Sequence, residues 1–126
     1  MPFVTVDGDD IGRRLASCYL SNDVGALIST KELVELKTQQ VSELLTDAGY
    51  EVLFCAADGV TAYSQESNLD EDKLYQSIKG KVGDELAFSV GIGPTLREAY
   101  VALLYAKSTG KARACSFSSM ERKCLE

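Results

Sequence analysis

The sequence predicts an α+β fold, a ferredoxin-like β-α-β-β-α-β palm with an appended helix and strand. Three observations predict it. Short β-branched and aromatic runs alternate with longer stretches of helical periodicity, the pattern of a sheet covered by helices. Two of those runs, EVLFC and VTAY, flank Asp58-Gly59, a strong short-range hairpin signal. A Thr-x-x-Glu box after the run FSVGIG opens one helix more than the core needs.

Taken in order, residues 3 to 7 (FVTVD) form a strand that ends in carboxylates. A short helix follows from Ile11, with Asp9 or Asp10 as its N-cap. Turn residues cluster from Ser21 to Gly25. Leu27, Leu33, Leu36, Val41, Leu44 and Leu45 then recur at helical spacing up to a stop at Gly49. The hairpin comes next. Residues 69 to 82 form a helix whose first turn carries Asp70, Glu71 and Asp72, where acids suit the helix dipole. ELAFSVGIG is a buried strand ending in Gly91 and Gly93. Thr95 and Glu98 cap a helix with Leu96, Tyr100 and Leu103 on one face, stopping near Gly110. ARACSF is the last strand, and SSMERKCLE carries no assignment.

The 126 residues, 45% of them hydrophobic, fit a single domain spanning 1–126. A net charge of −6 disfavours a sequence-independent grip on duplex DNA. Cys18, Cys55, Cys115 and Cys124 are widely spaced, form no CxxC and have no histidine to complete a zinc set, so they read as reduced thiols of a cytoplasmic protein. The lack of histidine also excludes Ser-His and Cys-His nucleophiles, leaving carboxylates, lysines and metal ions as reagents. No segment reaches the roughly 20 apolar residues of a membrane span, and Met-Pro-Phe-Val does not read as a signal peptide. Direct membrane insertion is not expected.

In this topology the end of the first strand, at Asp7, faces the hairpin tip at Asp58. Two carboxylates so placed suit a hard divalent cation, and magnesium prefers one or two carboxylates plus substrate phosphates. Lys107, in the last turn of the capped helix, and Lys111 beyond Gly110 are spaced to neutralise a polyphosphate whose metal-bound end sits there. Gly8 and the backbone amides near Asp10 and Ile11 open a helix, an end that accepts phosphate oxygens. Each residue has a plainer role as well. Asp58-Gly59 suits a simple turn, Asp9 and Asp10 suit helix capping, and Lys107 and Lys111 suit a helix C-terminus.

DGDDIG after the first strand, the acidic hairpin and FSVGIGPTLREAYVALLYAKSTGK together resemble the minimal CRISPR polymerase family. Its relatives are the GGDEF diguanylate cyclases and the polymerase palm of the type III CRISPR large subunit. The resemblance covers most of residues 3 to 117, and the last motif is its most specific part. It implies metal ligation, and with it catalysis, by Asp7 and Asp58, with the Gly8 carbonyl as a further ligand. It also implies phosphate contacts from Lys107 and Lys111. The implied cofactor is Mg²⁺, with Mn²⁺ as a substitute. The implied reaction joins nucleoside triphosphates, ATP before GTP, into a cyclic dinucleotide such as cyclic di-AMP, or a cyclic oligonucleotide, in antiviral signalling. Two facing palms, a homodimer, would make both bonds, and a separate effector protein would read the product. One departure stands out: where the wider family has Gly-Gly and two acids, this chain has Ala56-Ala57-Asp58-Gly59. Ala56 and Ala57 are small enough for a nucleotide to approach, but the fourth-position acid is gone, and Asp9 and Asp10, counted with the nucleotide site, are the acids placed to compensate. Two rival readings follow, an inactive nucleotide-binding palm that regulates a partner and a ring-opening enzyme similar to GTP cyclohydrolase III.

Overall fold

The computed structural model describes residues 2–66 and 69–120. Among the described residues the main elements run in the order β1 (Phe3–Gly8), α1 (Ile11–Leu20), α2 (Val24–Asp47), β2 (Glu51–Ala56), β3 (Gly59–Tyr63), α3 (Glu71–Val82), β4 (Phe88–Gly93), α4 (Leu96–Ser108) and β5 (Ala114–Ser116). The sheet order is β2-β3-β1-β4-β5. β1 lies between β3 and β4 and is antiparallel to both, and β5 extends the sheet parallel to β4. This is the α+β palm expected, with α4 and β5 as the appended pair.

The pleat divides the sheet into two faces. Val4, Val6, Val60, Ala62, Val90 and Ile92 face the main core, where they meet Val34, Val41 and Leu45 of α2 and Leu74, Ile78 and Val82 of α3. Those helical residues recur four or seven positions apart, so each helix buries one stripe. The other face of β4 takes α4 at close range. A Cβ at Gly91 would lie 2.2 Å from the Ala99 carbonyl oxygen and 2.4 Å from the Leu103 nitrogen, so backbone meets backbone there. On this same face, past α4, Thr5 and Thr61 share a hydrogen bond of 3.2 Å and Phe3 packs on Tyr63.

Helix starts follow the caps. The Asp23 carboxylate accepts from the Ala26 N–H, so α2 begins at Val24, inside the stretch the sequence assigns to a turn. Asp70 accepts from the N–H groups of Asp72 and Lys73, and the Thr95 hydroxyl accepts from the Glu98 N–H while donating to its carboxylate. The hairpin differs by one position from the expected Asp-Gly turn. Ala56 pairs with Gly59, so the two-residue loop is Ala57-Asp58, and the left-handed residue is Ala57 at φ 52°. An L-residue held there stores about 1 kcal/mol of strain beside the site.

No disulfide joins Cys18, Cys55 and Cys115, and Cys124 lies outside the described residues. Among the described residues no helix is long and apolar enough to cross a membrane.

Candidate active site

The end of β1 that carries Asp7 meets the β2–β3 turn, the start of α1 and the end of α4 at one place. Asp7 is the central member of a row across three strands, paired with Gly59 on β3 and Ser89 on β4. Beyond it, the Gly8 N–H donates to the Asp58 carbonyl at 3.0 Å and locks the hairpin tip to β1. A Cβ at Gly8 would meet the Ile11 side chain at 2.8 Å and the Cβ of Asp58 at 3.5 Å, so only glycine lets these segments close up without moving Ile11.

Lys107 enters from α4. Its ammonium lies 3.2 Å from Asp7 Oδ2 and 3.1 Å from Asp9 Oδ1, and donates to the Gly8 carbonyl at 3.0 Å. Burial raises the Asp7 pKa above the ordinary carboxylate value, and the Asp58 charge raises it further, with Lys107 only partly offsetting them. Burial by itself would lower the Lys107 pKa, but Asp9 and Asp7 outweigh it and the net shift is upward. The ammonium is therefore firmly charged, while Asp7 is a carboxylate under repulsion from Asp58.

Asp9 and Asp10 separate in role. Asp10 occupies the N-cap position of α1 at φ 60°, yet its side chain makes no capping bond. It pairs instead with Lys111, whose hydrogen bond holds the Asp10 pKa down. Asp9 is buried and serves as a hub. Its Oδ1 accepts from Ser89 Oγ at 2.7 Å as well as from Lys107, and its Oδ2 accepts from the Ala112 N–H at 2.9 Å. One carboxylate thus ties β1 to β4, α4 and the loop before β5. The capping role weighed from sequence is corrected for both side chains, because lysines about a hundred residues away compete for them.

Asp9→Asn keeps the shape but removes the charge and misdirects at least one donor. It is expected to cost about 2 kcal/mol. Urea unfolding of the two proteins at neutral pH measures it, and an unchanged midpoint contradicts the hub.

The remaining sequence candidates fall around this centre. Ala56 and Ala57 are exposed at the end of β2 and in the turn, where they leave its approach uncrowded. Ile11 starts α1, and the first helical bond runs from the Arg14 N–H to the Asp10 carbonyl, so the amides of Ile11, Gly12 and Arg13 lie at the open end of that ladder. Sequence reasoning missed Ser89 and the Ala112 amide. Ser89 carries a signal in hindsight, being a fully buried polar residue within an otherwise apolar strand.

The donor set suits a hard cation: the Asp7 carboxylate, the Gly8 carbonyl and the nearby Asp58 carboxylate are all oxygen. Lys107 shows that a positive centre fits there, since its ammonium takes oxygens from Asp7 and Gly8 together. Among the described residues no three His, Cys, Asp or Glu side chains form a metal cage on their own. Such a site would draw its remaining ligands from backbone, substrate and water, as magnesium sites do.

Comparison with known proteins gives both fold and family. No curated protein matches. The EAL/GGDEF domain protein of M. capsulatus is 20% identical with a TM-score of 0.63, over 92% of this chain and 83% of that one. The GGDEF domain of DgcB from Caulobacter crescentus, solved in complex with c-di-GMP, is 10% identical with a TM-score of 0.61, over 93% and 77%. The GGDEF domain of TpbB (YfiN) from Pseudomonas aeruginosa is 13% identical with a TM-score of 0.63, over 98% and 80%. At these identities the likeness establishes a shared GGDEF-type palm fold. The pattern of the mCpol family, the minimal CRISPR polymerase domain, matches residues 3–117. Since that match begins in the first strand and ends just past the last, the chain belongs to the minimal CRISPR polymerase family, a polymerase/cyclase-like palm domain.

Proposed function

We propose that this chain is a magnesium-dependent nucleotidyltransferase that joins two nucleoside triphosphates, ATP by preference, into a cyclic dinucleotide, cyclic di-AMP. The observation that carries the reading is the meeting of Asp7 and Asp58 with Lys107 at one end of the palm, Lys111 standing beside them on Asp10. A divalent cation bound there supplies Lewis-acid stabilisation of phosphate oxygens. Asp7, Asp58 and the Gly8 carbonyl would hold it. Lys107 and Lys111 bind and orient the triphosphate, and the open end of α1 adds backbone N–H groups. The 3′-hydroxyl of one nucleotide gives up its proton to solvent and attacks the α-phosphate of the other in line, the α–β phosphoanhydride bond breaks, and pyrophosphate leaves.

Each palm presents one triphosphate, so making both bonds calls for a two-fold pair of palms. The exposed Leu96, Tyr100 and Leu104 of α4 support self-association, Tyr100 and Leu104 lying on the helix face that leads to Lys107. The family supports a role in antiviral defence, with the product read by a separate effector protein.

One observation favours a second reading, an inactive palm that binds a nucleotide and regulates a partner. Residue 59 is the direct partner of Asp7, so the fourth-position acid would stand beside Asp7, and here that residue is glycine. The test is to incubate the purified protein with each triphosphate and Mg²⁺ and to resolve the products by mass. Pyrophosphate with a cyclic dinucleotide is the expected result. Nucleotide that binds but stays unchanged supports the inactive palm, and a formamidopyrimidine product supports a ring-opening enzyme.

A further inference from the structure

Lys107 occupies oxygens that the proposed cation needs. Its ammonium contacts Asp7 Oδ2 at 3.2 Å and the Gly8 carbonyl at 3.0 Å, and both groups belong to the proposed donor set. An ammonium and a divalent cation cannot share them, because like charges a few ångström apart repel and the same lone pairs would serve two centres. Lys111 is held in the same way, on Asp10. Both lysines proposed to bind phosphate are thus engaged by carboxylates.

The surroundings leave the Lys107 side chain as the part able to move. Backbone contact of Gly91 and Gly93 with Glu98, Ala99 and Leu103 clamps the body of α4 on β4, which fixes the helix that carries Lys107. Asp9 is fixed through Ser89 and Ala112, so it stays behind as an anchor. Lys107 retains a flexible four-carbon stem, and its side chain and that of Asp7 remain 23% and 33% exposed, so solvent, metal and phosphate can reach them.

We infer that Lys107 is a place-holder cation, which keeps the divalent-metal site closed until a triphosphate draws its ammonium off Asp7 and Gly8. Metal and nucleotide then bind as a linked pair, each raising the affinity for the other by the same factor. The inference rests on the reading of Asp7, Gly8 and Asp58 as the metal site, and its test separates the two ideas.

Mn²⁺ binding to the nucleotide-free protein is titrated by electron paramagnetic resonance for wild type, Lys107→Met and the double variant Lys107→Met with Asp7→Asn. Removal of a like charge at about 4 Å is expected to tighten Mn²⁺ binding roughly tenfold or more in Lys107→Met. The added Asp7→Asn should abolish the gain. If Mn²⁺ binding depends on Asp7 but Lys107→Met binds no tighter than wild type, the place-holder is overturned and the metal site stands. If no protein binds Mn²⁺ through Asp7, both fall. A measurement on wild type needs no variant to fold: acetylation of Lys107 by an N-hydroxysuccinimide ester, read by mass spectrometry against the exposed Lys31. Saturating Mn²⁺ alone is expected to speed Lys107 labelling several-fold relative to Lys31, and an unchanged ratio contradicts the inference.

Discussion

Asp58→Asn and Asp7→Asn are each expected to lower cyclic dinucleotide formation about a thousandfold or more, while the protein stays folded. Each change removes a charged oxygen ligand, and loss of several kcal/mol of charge stabilisation at the reacting phosphates corresponds to that factor. Folding should survive for an electrostatic reason. Burial and the Asp58 charge already raise the pKa of Asp7, so a neutral amide at either position relieves repulsion. Asp7→Asn also gives up the contact between Asp7 and Lys107, but that ammonium keeps Asp9 and the Gly8 carbonyl. Pyrophosphate release gives the rate and urea unfolding gives the stability. A rate for Asp58→Asn equal to wild type contradicts the role assigned to Asp58.

Gly91→Ala is expected to cost roughly 3 kcal/mol or more, enough to unfold much of the protein. The new methyl would fall 2.2 Å from the Ala99 carbonyl oxygen and 2.4 Å from the Leu103 nitrogen, both backbone atoms of α4 that no rotamer change can clear. The helix would have to lift off β4, taking Lys107 with it, so any folded remainder should also lose activity. Gly59→Ala is the internal control. There the closest atoms are Asp7 Oδ1 at 3.4 Å and the Val6 carbonyl oxygen at 3.5 Å, ordinary contacts, and little loss of stability is expected. Urea midpoints of the two variants beside wild type measure the contrast, and equal midpoints for Gly91→Ala and wild type contradict the close seat of α4.

The close seating of α4 also marks how far a sequence can be read. The Thr95–Glu98 box, the stop at Gly49 and the β-branched and aromatic runs of β1 and β3 are local signals, and each element stands where they place it. Gly25 misled because glycine usually marks a turn, whereas the Asp23 cap starts α2 at Val24, one residue ahead of it. The hairpin was legible as a hairpin but not in its register, because Asp58-Gly59 is the commoner turn pair and the pairing of Ala56 with Gly59 decides otherwise.

At the site, the nearness of Asp7 to Asp58 followed from topology alone, since β1 had to lie beside the hairpin. The destinations of the neighbouring acids did not. Asp9 and Asp10 look like helix caps locally, and only the folded chain brings Lys107, Lys111 and Ser89 to them across 80 to 101 residues. Lys107 and Lys111 were singled out for phosphate, but no spacing rule could show that both would be engaged by carboxylates.

The most direct test of the account is a crystal structure of the protein grown with Mn²⁺ and a non-hydrolysable ATP analogue, with manganese located by its anomalous scattering. The account predicts a manganese peak bonded to carboxylate oxygens of Asp7 and Asp58 and to the Gly8 carbonyl, with Lys107 moved from Asp7 to the phosphates. Manganese bound away from Asp7 and Asp58, or Lys107 still seated on Asp7 and Gly8 beside a bound nucleotide, would contradict it.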